Sequence, residues 1–348
     1  MTARASLLLV CTLATTAAAD VWQRAIDDAS TATRDRYDIA LAKGDELALR
    51  ANARGQAQRK AVQLVDQAIA AYKEAGDLRP DQGEPYYRIA TVLESFFIDC
   101  DDAYRFGQYI GNAPPLTCSL PGAPADPARM RQTLEAWDTF EARARLDPRL
   151  ADALFQRAIL RTKLVDGGKD SKRHLEGAMR DYLAILDRAD GMSNTDVEGV
   201  WGNLAETYMM LGKLEQAIDG YRTALRMGAG ASTAFGLAVA LDRDENYPAA
   251  VEVIRRQPPE QVQEFRQAFL QKRVFFVPQG EEFYYFALIH QAYGFNAEAL
   301  GYWKQFIASG AHPQYQARAK HHLDELQAKV RATPAARRQT FDPFELYP

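Results

Sequence analysis

The sequence predicts an all-α protein assembled from antiparallel helix pairs, and three observations carry that prediction. In the stretch 200–226, VWGNLAETYMMLGKLEQAIDGYRTALR, Trp201, Leu204, Ala205 and Tyr208 fall on one stripe at helical spacing. After the break Leu211-Gly212-Lys213, Ala217, Tyr221 and Ala224 form a second stripe. The same order of residues then recurs, in worn form, along most of the chain. Small residues at Ala205 and Ala217 let the two helices approach closely, with Trp201, Tyr208 and Tyr221 filling the space around the contact.

The order Trp, two residues, Leu-Ala, two residues, Tyr, then Ala, three residues, Tyr resembles the tetratricopeptide repeat, whose period is about 34 residues. Ala205 stands where that repeat more often has Gly. The resemblance covers 58–331 and implies a right-handed α-solenoid of antiparallel helix pairs, a TPR-like superhelix with inserted loops. A solenoid grows by adding repeats, so 348 residues are expected to form one elongated domain.

Composition bounds the class: 47% hydrophobic and 25% charged residues make a folded chain, not a disordered one. Arg4, the apolar run over 5–14 and the small residues ending Ala17-Ala18-Ala19 read as a secretory signal peptide, 1–19, cut before Asp20. The mature protein is then expected in the periplasm or outside the cell. Leu9 and Val10 before Cys11 argue against a lipid anchor, and the apolar run is too short for an uncleaved span. Removing the leader takes away Arg4 and Cys11 and leaves an acidic chain. With no dense Lys/Arg run, nucleic acid is excluded as the expected partner. Cys100 and Cys118 are an even pair in an exported chain, which permits a disulfide; two reduced thiols are the alternative.

In chain order, 20–57 reads as an irregular helical cap with a turn at Gly44-Asp45. Ala68, Tyr72 and Ala75 then match the second stripe, closed by Pro80, and a new first helix begins near Glu84 with Tyr86, Ile89, Ala90 and Leu93. An insert over 98–127, rich in Pro and Gly, delays its partner until Ala136 and Phe140. The next pair uses Leu154 and Ala158, then Ala178, Tyr182 and Ile185, separated by a short insert over 165–170. After the reference hairpin, Ala234, Leu237, Ala238 and Leu241 precede Ala250 and Ile254. A third insert, 258–278, opens at Pro258-Pro259 and contains an extra helix. Phe283, Phe286, Ala287 and His290 pair with Ala299, Trp303 and Phe306 across a turn at Gly294. A polar helix from Pro313 suits a solvent-facing cap, and the tail 332–348 is read as extended. Its apolar end, TFDPFELYP, is expected in the protein's own groove, packed on the last helices, or disordered.

No catalytic or metal motif emerges. His321 and His322 are adjacent and point about 100° apart on a helix, His290 takes a packing position, and His174 and His312 have no acidic or Cys neighbour at ligand spacing. Gly167-Gly168-Lys169 lacks the strand and spacing of a phosphate loop, and Asp99, Asp101 and Asp102 lack the alternation of a calcium loop. No cofactor, no metal and no enzymatic activity are therefore expected. What remains is a noncatalytic scaffold outside the cytoplasm that binds a protein or peptide partner. An exported enzyme, or a metal-binding accessory with a site in the inserts, is the alternative.

In tetratricopeptide arrays the first helices line a concave face, and the resemblance implies that the residue after the Trp-type position looks into it. Here these are Tyr87, Phe155, Gly202, Phe235 and Tyr284, followed by Arg88, Gln156, Asn203, Gly236 and Tyr285. Aromatic area beside Arg, Gln and Asn suits an extended peptide; rings that merely pack between first helices are the other reading. The carboxylate clamp of some arrays is matched by Asn203 alone, without its basic partners.

Overall fold

Apolar residues recurring three and four apart build fourteen α-helices among the residues described by the computed structural model, which are 3–53, 56–98, 126–165, 168–188, 194–270 and 278–332. No strand occurs among them, and no helix of the described residues is long and apolar enough to cross a membrane. Cys100, Cys118, most of the 98–127 insert and the tail from 333 lie outside the described residues. The chain divides into two units, Met1–Asp147 and Pro148–Pro348.

In the first unit α1 (Ala3–Ala51) pairs with α2 (Gln58–Leu78), and α3 (Glu84–Leu93) pairs with α4 (Pro127–Arg143). The turn expected at Gly44-Asp45 is corrected, because both residues lie inside α1. Gly44 serves close approach instead: a Cβ there would lie 2.3 Å from the ring of Tyr72. That ring is fully buried, and its hydroxyl donates to Asp45 Oδ1 at 2.8 Å. The segment expected as a cap therefore supplies the first helix of a hairpin whose second helix is α2. Past Leu93, α3 continues into a π-helical turn, Glu94–Ile98, where Glu94 accepts a 2.6 Å bond from Trp137 Nε1 of α4. Asp126 caps α4 by accepting from Ala128 N, and Pro127 occupies the first turn, where a missing N–H costs nothing.

The second unit contains α5 (Leu150–Lys163), α6 (Ser171–Leu186), α7 (Asn194–Met210), α8 (Leu214–Met227), α9 (Ala231–Arg243) and α10 (Tyr247–Arg255). It continues with α11 (Pro259–Leu270), α12 (Glu282–Tyr293), α13 (Asn296–Ser309), a 3-10 turn at Pro313–Tyr315, and α14 (Gln316–Ala332). Apart from α11, which packs on α9, each helix packs mainly on its chain neighbours, the nearest-neighbour order of an α-solenoid. Within the reference hairpin Ala205 and Ala217 are completely buried, as the sequence requires. Gly228, at φ 109°, ends α8 in the left-handed conformation, and Ala229 N closes the turn on Ala224 O at 3.1 Å.

The described first part of the 258–278 insert, α11, contributes to the core. Val262 and Phe265 of α11 are buried, and Phe265 packs on Phe235 with ring centroids 4.9 Å apart. The closing helix α14 is less solvent-facing than expected, since Ala319, His322 and Leu326 form a buried inner face. His322 stacks on Trp303 at 4.7 Å, and its Nε2 lies 2.9 Å from Asp242 Oδ1. Asp242, on α9, also accepts from Tyr284 Oη and Arg318 Nη2, each at 2.7 Å. Burial pushes this carboxyl up, but the bonds and charges of His322 and Arg318 outweigh burial and hold it below the usual range. One buried acceptor thus joins α9, α12 and α14.

Glycine positions inside helices separate close approach from mere tolerance. At Gly236 an added Cβ would lie 2.7 Å from the buried Tyr221 ring, whereas at Gly301 nothing lies within 4 Å. Gly301→Ala should raise stability by about 0.5–1 kcal/mol through helix propensity. Gly236→Ala should lower it by about 1–3 kcal/mol despite the same propensity gain, because Tyr221 cannot move aside. Chemical denaturation of both variants checks this, and shifts of the same sign would refute the packing described.

Candidate binding cleft

Glycine opens a cleft of about 490 Å³ in the second unit. On α7, nothing lies within 4 Å of a Cβ added at Gly199, and one added at Gly202 meets only Thr233 Oγ1 at 3.6 Å; across the gap Gly230 is equally open. Most of the walls come from the first helices of successive pairs, with Tyr182 of α6 and Phe265 of the inserted α11 added. Ile159 and Thr162 of α5 face Asn203, Glu206 and Thr207 of α7, with Ser232 and Thr233 of α9 beyond, and Phe265 and Tyr285 from α11 and α12. Helical spacing explains the arrangement on α7, where Gly202 and Asn203 lie three and four residues after Gly199, and Glu206 lies three and four after them, all on one face.

Glu206 is the chemically distinctive group. Its Oε2 accepts from Tyr285 Oη at 3.1 Å and, through a short bond, from Tyr221 Oη. Burial raises the carboxyl above its ordinary value, and the Tyr221 bond, the field of Arg243 and the Tyr285 bond offset only part of that rise. Arg243 is bonded through one nitrogen: its Nη2 donates to Glu281 Oε1 and Oε2 at 2.7 and 2.8 Å, its Nε and Nη1 are buried with no hydrogen bond among the described residues, and its guanidinium lies 4.5 Å over Tyr284 and 4.1 Å over Tyr315. Burial likewise pushes the Tyr221 and Tyr285 phenols up, so both stay protonated as donors.

Of the residues expected to face a groove, the cleft brings together Gly202, Asn203 and Tyr285. Phe235 and Tyr284 are corrected: at 1% and 0% exposure they are core residues. Phe235 is covered by Phe265, and Tyr284 sits edge-on to Trp303 and Phe306 with its hydroxyl on Asp242. Phe155 is half-buried with its ring 6.0 Å from Tyr182, and Gln156 beside it is half-buried; neither lines the cleft. Tyr87 and Arg88 belong to the first unit. Tyr87 packs on Trp137 and Phe140 at 5.5 and 5.2 Å, and Arg88 is held by Glu84 at 2.8 Å and by Asp45, so it is not poised for a peptide carbonyl. Glu206 was missed in the sequence, although its place one turn after Gly202 and Asn203 put it on the same face. His290 is buried, with Nδ1 2.6 Å from Phe286 O.

No family model matches this sequence, and no curated protein matches it. Among solved structures, PilF of Pseudomonas aeruginosa is similar over 84% of this chain and 99% of its own, at 15% identity and a TM-score of 0.42. The structure of the APC/C hetero-tetramer Cut9-Hcn1 is similar over 76% of this chain and 40% of the matched chain, at 13% identity and a TM-score of 0.37. Both scores are below 0.5, and the fold rests on the helix pairs themselves.

The raised carboxyl of Glu206 gives stability a defined pH dependence. Above the unfolded-state value of about 4.3, the folded chain binds more protons at this site than the unfolded chain. The contribution is therefore fully present at lower pH and is lost as pH rises through the folded-state value. Glu206→Gln keeps an acceptor for both phenols and removes the charge. Its thermal midpoint relative to the parent should be higher at pH 8 than at pH 4, and an equal difference at both pH values would refute this environment.

Proposed function

We propose that this protein is a noncatalytic scaffold working outside the cytoplasm, which holds an extended segment of a partner protein in the cleft between α7 and α9. The observation that carries this reading is the juxtaposition of open space and convergent polar groups. Asn203, Glu206, Thr207, Ser232 and Thr233 line a volume that glycine leaves empty, above a floor that includes Phe265 and Tyr285. An extended backbone needs such donors and acceptors at its edges, and its side chains need apolar area; a cleft of about 300–1,000 Å³ is the usual scale for enclosing a ligand. Location outside the cytoplasm follows from the leader-like segment 1–19.

Two measurements test the reading. A photoreactive residue at Asn203 should label a protein of the extracytoplasmic fraction, and the same residue at the exposed Lys304 on the second helix α13 should not. Equal labelling from both positions would overturn the cleft as the binding face. Amino-terminal sequencing of the protein from producing cells should begin at Asp20, and protein beginning at Met1 in the cytoplasmic fraction would overturn the location.

A further inference from the structure

We infer that the cleft selects its partner by a basic side chain, an arginine or lysine of the bound segment seated against Glu206. The inference rests on the reading of the cleft as a peptide site and adds the chemistry of the occupant. Both charged residues that line the cleft are acidic, Glu198 and Glu206, and among the described lining residues none is Lys, Arg or His. Two acidic groups facing one volume favour a cation there and disfavour a carboxylate.

The local geometry fits a cation at Glu206 in particular. Both phenol bonds fall on Oε2, and no hydrogen bond among the described residues takes Oε1. A cleft-lining carboxylate whose two protein hydrogen bonds both fall on Oε2 leaves Oε1 as the acceptor for a ligand cation. Arg243, whose field reaches it, pairs through Nη2 with Glu281 and makes no hydrogen bond to Glu206 among the described residues. Beneath Glu206 the Phe265 and Tyr285 rings lie stacked with centroids 6.0 Å apart and are buried, so they hold the Tyr285 hydroxyl in place on the carboxyl.

Selection from a displayed random dodecapeptide library against the full chain tests the inference. Gly202→Phe, placed where an added Cβ meets only Thr233, fills the cleft and identifies cleft-dependent peptides. Those peptides should share an Arg or Lys at one position, and their synthetic forms should bind Glu206→Gln at least about tenfold more weakly than the parent. Cleft-dependent peptides without a basic residue, or unaffected by Glu206→Gln, would overturn the inference and leave the peptide site standing. Selection of no peptide sensitive to Gly202→Phe would overturn the peptide site itself. If cleft-dependent peptides bind only when Arg337 and Arg338 in the full chain are replaced by Gln, the chain's own carboxy-terminal segment is the occupant and the proposal of a partner falls.

Discussion

The near-backbone contact of Ala205 with Gly220 sets the second unit's geometry. A Cβ on Gly220 would lie 3.0 Å from Ala205 Cβ and 3.4 Å from Ala205 Cα, so α7 and α8 meet where neither can carry a larger side chain. That approach brings Tyr221 of α8 within bonding distance of Glu206, the residue after Ala205. The Tyr221 ring then lies against Gly236, which positions α9, and α9 forms the far wall of the cleft. Packing and site are consequences of the same small residues.

A related device recurs across the hairpins. Tyr72 donates to Asp45 between α2 and α1, Trp137 to Glu94 between α4 and the end of α3, and Trp303 to Gln291 between α13 and α12, as Tyr221 does to Glu206. Each bond contributes about 0.5–1.5 kcal/mol, while a buried orphan would cost about 1–3 kcal/mol. The larger effect is on register, since a helix that slides along its partner strands a buried donor. At Glu206 the device has a further feature: the acceptor that locks the hairpin also lines the cleft in which we propose a partner segment lies.

The local parts of this architecture were legible in the sequence. Helical stripes at Trp201 to Tyr208 and Ala217 to Ala224, the glycine turn at Gly212 and the worn copies all depend on spacing along the chain, which packing did not override. What was not legible depends on what covers a stripe. Phe235 and Gly202 occupy the same repeat position, yet Phe235 is sealed by Phe265 from an insert that breaks the repeat, while Gly202 stays open. Gly44 looked like a turn because glycine usually marks one, and only the ring of Tyr72, far along the chain, explains it. His322 looked like a surface residue on a polar helix, and its burial depends on Trp303 and Asp242 from two other helices.

We propose that a partner segment lies on the glycine-opened face of α7 and that Glu206 receives its basic side chain. A crystal structure of the protein with a cleft-selected peptide tests this most directly. Peptide density is expected between α7 and α9, with an arginine or lysine nitrogen within hydrogen-bond distance of Glu206 Oε1. Peptide bound on the second helices, or in the cleft with an acidic or apolar side chain against Glu206, would contradict it.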